Sequence, residues 1–137
     1  MKIIVFIILL LSLLSNIFLC SKEYSTQMSK DDIIEIFNKM KNEANWDPEN
    51  NEMLFGYFFT DKDRNNLEKG AIILISQGYK LVKIRKDDDE NYYWLHVEKI
   101  EKHSVDSLDS RNKILYKFAK ENNIELYDGW DVGPIEK

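Results

Sequence analysis

The sequence predicts an α+β sandwich: a four-stranded antiparallel sheet with two helices on one face, preceded by an extra N-terminal helix. Three observations carry that prediction. After a first helical stretch, the apolar patterns follow one another as strand, helix, strand, strand, helix, strand. Residues that start or stop helices, Asp61, Asp63, Gly78, Ser104 and Asp106, flank the two later helical stretches. A polar cluster, Asp87-Asp88-Asp89-Glu90-Asn91, separates the two middle strands as a hairpin loop would. Two split units in that order place both helices on the same side of the sheet.

The elements follow in turn. Ser29-Lys30-Asp31-Asp32 is a helix start, with Ser29 placed to cap and an acid three residues later. Ile33, Ile36, Phe37, Met40 and Ala44 recur at helical spacing, so this helix buries one stripe. It ends before Trp46-Asp47-Pro48, because proline disfavours helical geometry in the residue ahead of it. Met53 to Thr60 is aromatic-rich, nearly continuous in hydrophobicity and too short for a helix, which predicts a strand covered on both faces. Asp61 and Asp63 offer N-caps to a helix that gathers Leu67, Ala71, Leu74 and Ile75 on one side and stops at Gly78.

Tyr79 to Arg85 alternates as a strand does. Tyr92 to Lys102 is a longer strand, with Tyr93, Leu95 and Val97 on one face and Tyr92, Trp94, His96, Glu98 and Ile100 on the other. Ser104 or Asp106 caps the last helix, whose stripe is Leu108, Arg111, Leu115, Phe118 and Ala119. The final strand spans Ile124 to Trp130 and leads through Gly133-Pro134 to a polar end. Its Tyr127-Asp128-Gly129-Trp130 run sets two large aromatics around an Asp-Gly pair, a dipeptide that favours tight turns.

The N-terminus has a different character. Met1-Lys2 precedes an apolar run, Ile3 to Leu14, interrupted only by Ser12. That run is short of the ~20 apolar residues of a spanning helix and reads as a secretory signal or an N-terminal membrane anchor over residues 1–20. The only cysteine, Cys20, ends it. Ile17-Phe18-Leu19-Cys20 resembles a bacterial lipoprotein box, in which the cysteine is acylated, although Leu19 stands where a small residue is usual. The expectation is export to the cell envelope, as a lipid-anchored, membrane-anchored or freely secreted protein. Residues 21–30 then form a tether, and residues 31–137 a single domain with its core over about 54–132.

Charge narrows the partners. The whole chain has a formal net charge of −5, and Lys2 is the only charged residue in the first twenty. Without that segment the domain is more acidic still. Such a balance opposes nucleic-acid binding and favours a water-facing domain or a partner with basic patches. With no second cysteine, packing holds the domain together.

His96 and His103 are the only side chains that titrate near neutrality unperturbed. His96 and Glu98 share a strand face, an arrangement that could bind a metal or polarise water. The Pro-Cys-x-x-Cys that accompanies His-x-Glu in zinc deaminases is missing, and a cross-strand polar pair is the simpler account. Asp61-Lys62-Asp63-Arg64-Asn65 begins like a calcium loop but lacks the later glycine and glutamate. The chain carries no phosphate loop or nucleophile motif. These residues predict no catalytic centre, no cofactor and no metal.

The aromatic first strand, the helix ending in Gln77-Gly78-Tyr79, the hairpin into Trp94-Leu95-His96-Val97-Glu98 and the terminal Tyr127-Asp128-Gly129-Trp130 together resemble the regulator of ribonuclease E activity B (RraB) family. The resemblance covers roughly Leu54 to Val132. It implies a ferredoxin-like βαββαβ fold and a non-enzymatic domain. Family members of known role inhibit endoribonuclease E by protein contact in the cytoplasm. An exported chain would not meet that ribonuclease, so the fold transfers more readily than the target.

An open sheet face holding Tyr92, Trp94 and Ile100 would be too apolar to leave bare. The first helix, with its Ile33, Phe37 and Met40 stripe, is the expected cover. The competing expectation is a protein partner that uses Trp94, Tyr127, Asp128 and Trp130 as its contacts.

Overall fold

A computed structural model of the chain describes residues 27–136. The elements are α1 (Lys30–Lys39), a π-helical turn (Met40–Ala44), β1 (Met53–Asp61), α2 (Arg64–Ser76), β2 (Lys80–Lys86), β3 (Tyr93–Glu101), α3 (Val105–Glu121) and β4 (Leu126–Gly133). The strands form one antiparallel sheet in the order β2-β3-β1-β4. This is the α+β, ferredoxin-like arrangement of two split units, with α1 as the added helix. The signal-like run and Cys20 lie outside the described residues.

Local chemistry sets the boundaries. The Ser29 hydroxyl accepts the Asp32 N–H at 3.2 Å while the Asp32 carboxylate accepts the Ser29 N–H at 2.9 Å, a reciprocal capping box. Asp63 caps α2 by accepting the Asn65 N–H at 2.9 Å, and Ser104 rather than Asp106 caps α3 through the Ser107 N–H. Asp61 has a different task. It is buried, and its carboxylate accepts the N–H groups of Asp63 at 2.7 Å and Glu125 at 2.9 Å, tying the end of β1 to the entry of β4. Gly78, at φ +90°, ends α2, and the Tyr79 N–H reaches back to the Leu74 carbonyl.

The core lies between the sheet and the helices. Phe55, Tyr57 and Phe59 of β1 and Leu95 and Val97 of β3 meet Leu67, Ala71 and Leu74 of α2 and Leu108, Leu115 and Phe118 of α3. Each leucine, valine or phenylalanine among them, fully buried, contributes about 1.5–3 kcal/mol. Ile75 is exposed, not on the buried stripe; Gly70 takes that place, close against Ile124. Ala44 is also exposed, because the π-helical turn widens the helix and rotates its last residues off the α1 stripe.

Three expectations are corrected. First, β1 is covered on one face only. As a central strand it has neighbours on both edges, but its outward side chains Leu54, Phe58 and Thr60 are half-buried rather than enclosed. Second, α1 does not cover the open face. It lies on the helical side, where it packs along α3, Ile33 enters the core and Lys30 pairs with Asp106.

Third, Tyr127-Asp128-Gly129-Trp130 is not a turn but a bulge inside β4. Phe59 pairs with Tyr127 while Phe58 pairs with Gly129, so Asp128 is the extra residue, and Gly129 takes φ +104°. The bulge keeps β4 paired as far as Gly133, beyond the expected end at Trp130.

Candidate functional site: the open sheet face

The strand registers lay out the face opposite the helices in rows. Arg85, Trp94, Thr60 and Leu126 make one row from β2 to β4, and Lys83, His96, Phe58 and Gly129 the next. Lys80, Glu98, Gly56 and Asp131 follow, and then Ile100, Leu54 and Gly133. The β2 edge is therefore basic, the middle aromatic and apolar, and the β4 side carries Asp131. Ile100 is 51% exposed, the most open of the apolar side chains here. Among the described residues no helix lies over this surface.

The aromatic centre is organised by contacts between neighbouring strands. The rings of Phe58 and His96 stack at 4.4 Å with an interplanar angle of 21°. Trp94 meets Phe58 edge-on at 6.4 Å and Tyr92 at 5.7 Å, and the Arg85 guanidinium sits 5.5 Å from its ring centre. The Trp94 indole N–H donates to Asp87 at 3.1 Å. That bond, with the Asp89 and Glu90 N–H groups, holds the Asp87 carboxyl below its usual pKa and fixes the hairpin against the sheet.

Gly56 lets side chains lean over β1. A methyl group there would collide with Asp131 Oδ1 and lie 2.8 Å from His96 Nε2. His96 and Glu98 approach to 3.8 Å, beyond hydrogen-bond reach, and His96 Nε2 is buried without a partner among the described residues. No three His, Cys, Asp or Glu side chains among the described residues gather so as to hold a metal ion. Among the described residues no hydrogen-bonding group therefore orients His96 Nε2.

His103 belongs to a polar network on the helical side. Its Nε2 lies 3.1 Å from the Tyr57 hydroxyl and its Nδ1 2.8 Å from the Ser107 hydroxyl. Tyr57 donates to Glu101 at 2.7 Å, and burial pushes its hydroxyl pKa far up. Arg111 grips the same Glu101 with both terminal nitrogens and also donates to the Tyr79 hydroxyl at 2.9 Å. The network anchors the far end of β3 to α3.

The four expected contact residues do not share one surface. Trp94 is on the open face. Tyr127 is in the core, where its hydroxyl donates to Asn112 at 2.8 Å and burial raises its pKa. Trp130 pairs with Tyr57, faces the helical side and packs 6.1 Å from Phe55. Asp128 projects from the bulge into a cleft of about 320 Å³ at one end of the open face, with Thr60, Lys62, Glu90, Tyr92, Trp94, Glu125 and Leu126 around it. Glu90 comes from the hairpin next to Trp94, whereas Glu125 and Asp128 reach it only through the pairing of β4 with β1. The available sequence signal was the hairpin acids lying shortly before Tyr92 and Trp94.

Among curated proteins none matches the chain. A family model described as Regulator of ribonuclease activity B matches residues 30–132. The match starts at the first residue of α1, well upstream of Leu54, and ends within β4, so the added helix is part of what the family shares. The open-faced split βαβ sheet, with α1 packed beside α3, is thus the body of a protein that belongs to the Regulator of ribonuclease activity B family.

Proposed function

We propose that the chain acts without chemistry of its own, as a regulatory module that docks the open sheet face onto a protein partner. The observation that carries this reading is the uncovered apolar centre of that face, Leu54, Phe58, Trp94 and Ile100. Burying such side chains at an interface, aromatic anchors above all, is the dominant source of binding energy. Family membership supports a ribonuclease as the partner. The test is inhibition of endoribonuclease E by the full chain, with complex formation followed in parallel. Trp94→Ala and Ile100→Asp should lose both, and His96→Ala should keep them. Loss of function in His96→Ala alone, with the complex intact, would point to chemistry at His96 and sink the docking account.

The apolar run from Ile3 to Leu14 and the cysteine behind it favour a second reading of where docking occurs. On that reading the domain is held at the cell envelope and its partner is an envelope protein. A reporter fused after Lys22, with Cys20→Ala as control, decides between them. Export of the reporter assigns the domain to the envelope, and retention assigns it to the ribonuclease.

A further inference from the structure

From the cleft at the β4 end of the open face we infer the chemistry of the partner: it presents an arginine- or lysine-rich segment, one of whose side chains seats between the rings of Tyr92 and Trp94 and the carboxylates of Glu90, Glu125 and Asp128. The inference rests on the docking reading above and adds the kind of segment the face receives.

The cleft combines the two features that hold a cationic side chain. Trp94 and Tyr92, 5.7 Å apart, give it aromatic walls, and Leu126 and Thr60 give it a floor. The Trp94 ring already carries the guanidinium of Arg85 at 5.5 Å, so a partner's cation would share that ring with a resident one and draw mainly on Tyr92 and the carboxylates. Three carboxylates stand at the rim against one ammonium, Lys62. Among the described residues none of the three forms an ion pair, while Glu35, Glu68, Asp106, Asp109 and Glu121 on the helices are each paired with a lysine or arginine. The three acids at the cleft are thus free to meet a charge from outside, and they share that cleft with two aromatic rings. Partial desolvation holds the Asp128 carboxyl above its ordinary pKa, as expected of a carboxylate that lacks its counter-ion.

Size and overall charge agree. At about 320 Å³ the cleft is at the small end of ligand sites, suited to one long side chain rather than a cofactor. The chain as a whole is acidic, which draws a basic partner and repels an acidic one.

The probe is a tetra-arginine peptide titrated into the full chain by calorimetry, with a tetra-citrulline peptide as its uncharged isostere. Tetra-arginine should bind and tetra-citrulline should not. Glu125→Gln/Asp128→Asn should weaken binding at least tenfold, as should Trp94→Leu. Glu35→Gln/Glu43→Gln, which removes the same charge from α1 and the π-helical turn after it, should leave it within twofold. Absence of tetra-arginine binding, equal binding of the citrulline peptide, or equal losses in the two double variants would overturn the inference. The carboxamide variants preserve shape, so they keep the test valid if Trp94→Leu fails to fold. Failure of the docking reading is distinguishable. In that case Ile100→Asp leaves the ribonuclease complex intact, whereas if only the cationic seat is wrong, Ile100→Asp breaks the complex and Glu125→Gln/Asp128→Asn does not.

Discussion

Tyr127 and Trp130 lie three positions apart on one strand, yet both point toward the helices. In a regular strand an odd separation sends side chains to opposite faces. The extra residue at Asp128 reverses that parity, so Tyr127 pairs with Phe59 and Trp130 with Tyr57, both on the core side of β1. The same bulge turns the Asp128 carboxyl into the cleft. One irregularity thus packs two aromatics and positions an acid of the candidate site.

The bulge depends on Gly129. A Cβ there would meet nothing within 4 Å, so the demand comes from the backbone alone, at φ +104°. Gly129→Ala should therefore cost about 1–2 kcal/mol in denaturant unfolding, with Gly129→Val at least as costly. The cleft should loosen with it, lowering tetra-arginine affinity. An unchanged midpoint for Gly129→Ala would mean that the strand can re-register without the glycine.

Tyr127 tests the buried side of the same strand. Its hydroxyl supplies the hydrogen bond to Asn112 Oδ1, while Asn112 Nδ2 has no partner among the described residues. Tyr127→Phe leaves the amide with neither end satisfied and should cost about 1–3 kcal/mol. Replacing both groups removes the orphan, so Tyr127→Phe/Asn112→Leu should recover at least half of that loss. Additive losses in the double variant would show that the pair is not coupled.

The sequence made the element order, the capping residues and the faces of β3 legible, because each depends on neighbours in the chain. Period two along β3 placed Leu95 and Val97 opposite Trp94 and His96, as observed. What depends on pairing across the sheet was hidden. Asp-Gly in an aromatic strand reads as a turn until the β1 partners show the bulge. The apolar stripe of α1 showed that it must pack but not against what, and α3 offered a better surface than the open sheet. Arg111 on the otherwise apolar α3 stripe was the readable clue that was missed. A cation on a buried stripe requires a carboxylate, and Glu101, on the core-facing side of β3, was available.

Gly70 sets helix propensity against packing. In a solvent-facing helix Gly→Ala gains about 1 kcal/mol. Here the new methyl would come within 2.6 Å of Ile124 Cδ1, which is itself buried against the core. Overpacking of this kind costs about 1–3 kcal/mol, so Gly70→Ala should be net destabilising. Ile124→Val removes the offending Cδ1. The double variant Gly70→Ala/Ile124→Val should then be more stable than Ile124→Val alone, with the sign of the alanine effect inverted. The same sign in both backgrounds would mean that the clash is relieved elsewhere.

Glu101 gives the fold an acid-sensitive joint. Burial alone would raise its carboxyl pKa, but hydrogen bonds from His103, Tyr57 and Arg111, together with the Arg111 charge, override it and hold the pKa at about 2. Its ordinary value is 4.5. A carboxyl with its folded pKa depressed stabilises the protein fully above the unfolded value, and that contribution fades as pH falls from about 4.5 through about 2. The depression corresponds to about 3 kcal/mol, and the side chain is only 14% exposed, so solvent removes little of it. Glu101→Gln should lose about that much at pH 7 and flatten the acid limb of the stability curve, so that it converges with the parent below pH 2. Arg111→Met should lose at least as much at neutral pH, because it leaves the carboxylate buried without its counter-ion. Stability curves for Glu101→Gln and the parent that ran parallel from pH 7 to pH 2 would assign the acid sensitivity to other carboxylates.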